Sequence, residues 1–234
     1  MNFHCYVNFS GNARLLGACL ESIMPQIKKH SSYEFPVIVL NNTNVKLKDW
    51  LPDIQGWLEM KPPVPIVWAE AQNWIIKMAY EGNEPFAMSI HTDVTLKDGA
   101  IDELLRKYDE YKTSRWHIIC ANECVSLQNP VFFYSENIRY DAFLFPMYYS
   151  DNHIARLASL RGWREYMYAT ELVNHRRSHT IAENRIMGRK NDLAFGHHGS
   201  IYQQIWGGLP GRETNFDPNA SGLCYNKEEA EWYL

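Results

Sequence analysis

The chain has 234 residues, 46% of them hydrophobic and 21% charged, a balance that excludes a disordered chain and fits one large folded core. Its net charge of −4 supplies no overall positive field of the kind that draws a protein to nucleic acid or an anionic membrane. No run approaches the roughly 20 apolar residues of a membrane-spanning helix, and the five scattered cysteines complete no zinc-ribbon spacing. The N-terminus lacks a basic region followed by an apolar one. A cytoplasmic protein with reduced, mostly buried thiols is expected.

In chain order, Phe3 to Phe9 is a short β-favouring run, ended by Ser10-Gly11-Asn12. Leu15, Leu16, Cys19, Leu20 and Ile23 recur at helical spacing, and Pro25 is expected to stop that helix. Val37 to Leu40 reads as a buried parallel strand, running into the turn Asn41-Asn42-Thr43-Asn44. Pro62 to Pro65 marks a loop and Ile66-Val67-Trp68 a brief third strand. Trp74, Ile75, Met78 and Ala79 give the next helix its apolar face; Pro85 to Ile90 is a further strand. Leu96 to Tyr111 is a long amphipathic helix and Trp116 to Ala121 another strand.

Strand and helix alternating across short loops specify an α/β fold, a mostly parallel central sheet flanked by helices. The second half is less regular. Phe132 to Tyr149 is aromatic-rich, a helix runs from about Asp151 to Arg161 and closes at Gly162, and Tyr166 to Val173 reads as a strand. Tyr202 to Trp206 is a helical patch before a loop-like tail. No stretch resembles a linker or a repeat, so a single domain is expected over 1–234.

The dinucleotide fingerprint, the P-loop and the Gly-x-Ser-x-Gly elbow are all absent. A ligand of such a fold then binds at the carboxyl ends of the strands. Asp93 stands there, in His91-Thr92-Asp93, able to hold a hard cation on its carboxylate or merely to cap the next helix; Asp98 is closer to the helix start and better placed to cap. Asp151 opens a helix, as a cap or as a base. His175 and His179 have the i, i+4 spacing of zinc-binding helices but lack the accompanying Glu. His197-His198 reads as an exposed loop, and Asn219-Ala220-Ser221 as an unused glycosylation sequon.

Several segments match one pattern in order. They are Asn8-Phe9-Ser10-Gly11-Asn12 with Leu16 to Ile23, Asn41 to Asn44, Ala71-Gln72-Asn73, His91-Thr92-Asp93, Ser150 to Leu157, Arg161-Gly162-Trp163 and His175. Together they resemble the inverting GT-A glycosyltransferases, a large family with many bacterial and phage members. The resemblance covers roughly residues 3 to 180 and implies a GT-A fold. It implies a nucleotide-sugar donor, a UDP-sugar favoured, held by about residues 1–115 through Asn8, Phe9, Arg14, Asn41, Asn42, Asn73 and Thr92. It implies Mn²⁺ or Mg²⁺ on Asp93 and His175, with His91 ligating directly or through water.

The same resemblance makes Asp151 the catalytic base, and Ser150, Asn152, Trp163 and Trp206 the acceptor contacts in about residues 116–234. Three positions depart from the family. His91 replaces the first Asp of Asp-x-Asp, Asn41 or Asn42 replaces the acid of the second-strand turn, and Ser150 replaces a Glu. The acceptor is a glycan or, in a phage-type alternative, a hydroxymethylated DNA base whose phosphates Arg176, Arg177, Arg185, Arg189 and Lys190 would track. A non-catalytic nucleotide-sugar binder is a further alternative.

Overall fold

A computed structural model describes residues 1–176 and 185–220, with the backbone alone for 185–191. Its strands are β1 (Cys5–Phe9), β2 (Val37–Asn41), β3 (Trp57–Met60), β4 (Ala87–His91), β5 (Val94–Leu96), β6 (Trp116–Ala121), β7 (Val125–Gln128), β8 (Arg164–Tyr168) and β9 (Val173–His175). Its helices are α1 (Ala13–His30), α2 (Leu47–Trp50), α3 (Trp68–Glu81), α4 (Ala100–Tyr111), α5 (Pro130–Ser135), α6 (Ser150–Leu160) and α7 (Arg185–Trp206).

Seven strands form one sheet in the order β3-β2-β1-β4-β7-β6-β8, and β5 pairs with β9 in a separate two-stranded ribbon. Only β7 is antiparallel to its neighbours β4 and β6. The carboxyl ends of β1, β2, β4, β6 and β8 therefore share one edge, where this class of sheet collects its functional groups. Helix α6 joins β8 through the three residues Arg161 to Trp163, so it runs back along the sheet and delivers its first turn to that same edge.

The apolar pattern explains the layering. Alternate residues of β1 point to opposite faces. Val7 and Phe9 pack with Leu16, Leu20 and Ile23 of α1 and Leu104 of α4. Tyr6 packs with Ile75 of α3, Ile154 of α6 and Trp206 of α7. Each such fully buried side chain contributes roughly 1.5–3 kcal/mol. A polar stretch under the second face is satisfied internally: Gln128 Nε2 donates to Gln72 Oε1 at 2.6 Å, and Tyr140 OH donates to Gln128 Oε1 at 2.9 Å.

Several expected boundaries move. Pro25 does not stop α1, which continues to His30. It sits on the exposed side of the helix, where water can take the carbonyl it leaves free, and the buried Gln26 next to it binds Ser22 O and Lys97 O. Ile66 to Trp68 is no strand. The prolines before it cannot feed a ladder, and the side chain of Asn42 takes a strand partner's place, accepting from Ile66 N at 2.7 Å and donating to Ile66 O.

Leu96 belongs to β5, and α4 starts at Ala100 after Gly99, with no side-chain cap from Asp98 or Asp93. The expected strand over 166–173 divides into β8 and β9. His197 and His198 lie within α7, not in an exposed loop, and His198 is buried. Cys5, Cys19, Cys120 and Cys124 are buried; Cys224, Ser221 of the sequon, Arg177 and His179 lie outside the described residues, as do the side chains of Arg185, Arg189 and Lys190. No described helix is long and apolar enough to cross a membrane.

Candidate metal and transfer site

β4 ends at His91, whose backbone pairs with Asn8 of β1 and whose N–H donates to Cys124 O at 3.1 Å. The chain turns through Thr92 and Asp93 into β5. There β9 comes alongside, with His175 opposite Val94, and Arg176 N donates to Asp93 O at 3.0 Å. The ribbon thereby sets His175 Nε2 3.3 Å from Asp93 Oδ1. The His91 and His175 rings meet edge to face with centroids 5.6 Å apart.

One ligand atom from each of His91, Asp93 and His175 lies within 4.8 Å of the others. Burial holds the His91 imidazole below its ordinary pKa, with Asp93 acting against that shift and His175 with it. His175 Nδ1 and Asn8 Oδ1 are buried and have no hydrogen-bond partner. Two imidazoles and a carboxylate converging beside orphaned polar atoms fit a divalent cation.

Beside this cluster opens a cavity of about 530 Å³, lined by Asn122, Glu123, Met167, Tyr168, Val173 and His175 among others. Its floor is the β6–β7 turn, where Asn122 and Glu123 both take left-handed backbone, with φ of 48° and 61°. The Asn122 side chain donates to Thr170 O at 2.8 Å and Val173 O at 3.0 Å and accepts from Thr170 N at 2.9 Å. Asn122 thus fixes the approach of β9, and with it His175. Sequence reasoning missed both turn residues; Asn-Glu between two apolar runs was the available signal, weaker than Asn-Gly.

Asp151 stands in the first turn of α6, after the left-handed cap Tyr149 at φ 65°. Its residue is solvent-exposed, yet protein atoms around the carboxyl keep much of the water's stabilisation from its charge. That crowding raises its pKa, the backbone N–H groups of Asn152 and Asp151 oppose the rise, and the Glu123 carboxylate adds to it. Glu165 of β8 is raised by burial and by Asp151 in turn. Ser150 is buried with an unpartnered Oγ, and Asn152 is half-buried. Helix α7 backs this segment: Tyr148 N donates to His198 Nδ1 at 3.3 Å. A Cβ on Gly199 would stand 3.1 Å from the Tyr149 hydroxyl oxygen, a tight contact that glycine spares the helix.

The other expected contacts are placed differently. Phe9 is fully buried in the core, and Arg14 is exposed at the start of α1. Asn41 has no exposed surface; it donates to Val45 O and Glu59 Oε1 and accepts from Thr43. Asn42 grips Ile66 as described, and Asn73 binds both backbone groups of Tyr140 at 2.9 Å. Trp206 is fully buried, its Nε1 donating to His153 Nδ1 at 3.0 Å, and burial lowers the His153 pKa to about 4. Trp163 precedes β8, at the edge of the sheet opposite the cluster, with Nε1 on Glu136 at 2.7 Å. Asn8, Thr92, Asp93, His91, His175, Ser150, Asp151 and Asn152 are the expected residues at the carboxyl edge beside Phe9, Asn41 and Asn42, whose side chains are taken up by the core or by the hydrogen bonds just described.

No protein-family model matches the sequence, and no curated protein does. In structure the chain is similar to residues 1–349 of S. aureus TarS in complex with UDP, with a TM-score of 0.55 and 11% identity over 74% of this chain and 59% of that one. It is similar to a second S. aureus TarS structure at TM-score 0.56 and 11% identity, over 87% of this chain and 42% of that one. A fainter likeness, TM-score 0.45 at 15% identity over 74% of this chain and 77% of the other, is to a cytidylyltransferase from Leptospira borgpetersenii serovar Hardjo-bovis. The chain thus spans about half the length of the TarS chains it matches. What the two TarS likenesses and the strand order show is the fold: an α/β, GT-A-type chain with a mostly parallel sheet flanked by helices.

Proposed function

We propose that the chain is a metal-dependent glycosyltransferase that moves a sugar from a nucleotide-sugar donor to an acceptor hydroxyl with inversion. What supports this reading is the His91–Asp93–His175 cluster at the carboxyl edge of a GT-A sheet, together with a carboxyl of raised pKa at Asp151 on that edge, which Glu123 links to the cavity that His175 also lines. About residues 1–115 take the donor, a UDP-sugar favoured by the S. aureus TarS complex with UDP, and about residues 116–234 take the acceptor, as one domain.

Asp93, His175 and His91 are the residues to hold Mn²⁺ or Mg²⁺. Such an ion supplies charge neutralisation to a leaving diphosphate. Asn8 and Thr92, beside that cluster, face the donor. Asp151 accepts the acceptor's hydroxyl proton as the oxygen bonds to the anomeric carbon; the bond to the diphosphate breaks, and its electron pair leaves with the nucleotide. The raised pKa suits Asp151 to that proton, since a stronger base takes it more readily. Ser150 and Asn152, one residue to either side, orient the acceptor.

Asp151→Asn should lower kcat by about 10²–10⁴-fold, and Asp93→Ala should abolish transfer, each with an unchanged circular dichroism spectrum. Release of nucleoside diphosphate from a panel of nucleotide-sugars, with Mn²⁺ present, is the measurement. Full activity in Asp151→Asn would remove the base assignment, and donor binding without turnover in the unsubstituted chain would make it a binding protein.

A further inference from the structure

The donor set at the end of β4 is uneven: two imidazoles and one carboxylate. Mg²⁺ prefers oxygen ligands in near-ideal octahedral geometry and sheds its waters reluctantly, whereas imidazole suits the first-row transition ions. A site that offers one carboxylate oxygen and two ring nitrogens is therefore poorly matched to Mg²⁺. The geometry points to a site that selects a transition divalent cation, from Mn²⁺ to Zn²⁺, over Mg²⁺ and Ca²⁺, and we propose that His91 is the ligand that imposes this choice. The inference rests on the metal centre of the proposed function and narrows which ion it accepts.

Two observations support a direct role for His91, and a third supports the site that it would join. First, its backbone is fixed on both sides, N–H on Cys124 O at 3.1 Å and carbonyl oxygen accepting from Cys19 Sγ at 3.6 Å, so the ring is delivered by a rigid strand end. Second, the ring already stands edge to face with His175. Its ligand atom lies within 4.8 Å of those of Asp93 and His175, where a short contraction about one ion completes a three-residue face. Third, His175 reaches the cluster with Nε2 3.3 Å from Asp93 Oδ1, close to the roughly 3 Å between two ligands bound at right angles to one ion.

The test is isothermal titration of the full chain, stripped of metal by a chelator, with MnCl₂, ZnCl₂ and MgCl₂, together with pulsed electron paramagnetic resonance of the Mn²⁺ form. Mn²⁺ should bind about 100-fold more tightly than Mg²⁺, Zn²⁺ more tightly still, and the spectrum should show nitrogen couplings from two imidazoles. His91→Asp, which restores an oxygen ligand, should narrow the Mn²⁺/Mg²⁺ ratio to under about tenfold and remove one nitrogen coupling. His91→Asn, which fits the same space without a new charge, should also lose that coupling.

Mg²⁺ binding within tenfold of Mn²⁺ in the unsubstituted chain overturns the proposal, as do a single nitrogen coupling or an unchanged ratio in His91→Asp. A parallel transfer assay separates the two readings. Equal transfer with Mg²⁺ and Mn²⁺ defeats the selectivity and leaves the transferase standing. Selective binding with no transfer from any nucleotide-sugar does the reverse.

Discussion

The amide of Asn42 satisfies both backbone groups of Ile66, a residue that no strand reaches. Asn42→Ala would leave that N–H and carbonyl without partners at a half-buried site, and a lowering of unfolding free energy by about 2 kcal/mol is expected in urea titrations. Asn41 and Asn73 spend their amides in the same way. Asn8 differs, because its Oδ1 is buried without a partner next to His91. Four asparagines look alike in sequence, and the hydrogen bonds alone sort one from three.

Asp151 is the residue whose chemistry depends on its neighbours. Burial lifts its pKa and the Glu123 carboxylate lifts it further. A base works only when ionised, so activity is lost as pH falls through the raised value, and the acid limb of kcat/KM should lie above the ordinary carboxylate range. Glu123→Gln removes a like charge and should shift that limb to lower pH, with the alkaline side unmoved. A limb that stays in place in the pH–rate profile would detach Glu123 from Asp151.

The β6–β7 turn shows how an element can carry a cost that its surroundings repay. Two successive left-handed residues suit Asn-Gly, and a side chain in that conformation costs about 1 kcal/mol or more. Glu123→Gly should therefore raise stability by about 1 kcal/mol, read as a higher urea midpoint, while removing the charge that faces Asp151. A chain whose midpoint falls instead would mean that Glu123 makes contacts worth more than the strain.

The same turn explains why β7 was not legible in the sequence. Without a Gly signal, Val125 to Gln128 did not stand apart from β6 as a returning strand. The strands β1, β2, β4 and β6 were legible because they are apolar runs buried in the sheet. β3 was not, since its burial is uneven, with Leu58 exposed. The reach of α7 back to Arg185 was hidden by Gly196 and Gly199, which weaken a helical pattern, although Gly199 spares α7 a tight contact with Tyr149.

Over the whole molecule, the chain order of motifs located one edge of one sheet, and the fold itself supplied the rest. Asp93 and His175 stood far apart in sequence, and only the β5–β9 ribbon sets them 3.3 Å from each other. Trp163 and Trp206 could not be placed without the fold, because an aromatic at a helix end serves a core as readily as a sugar. An ion bound by the folded chain alone stabilises it by mass action, about 2.7 kcal/mol at 100 times its dissociation constant. Thermal unfolding with added Mn²⁺ should rise accordingly and fall back on chelation, and Asp93→Ala should lose the effect.

β9 has three residues, and its side chains alternate between faces. A slip of one residue in its pairing with β5 would turn the His175 ring to the other face of the ribbon, away from its present place beside Asp93. The chain between Asp93 and His175 includes α4, β6, β7, α5, α6 and β8, and in the folded structure all of them lie between the two ligands that the β5–β9 register brings together. Ion occupancy is then an inspection mark on the finished chain: protein recovered with metal has its central third correctly threaded, and a misthreaded copy comes through empty.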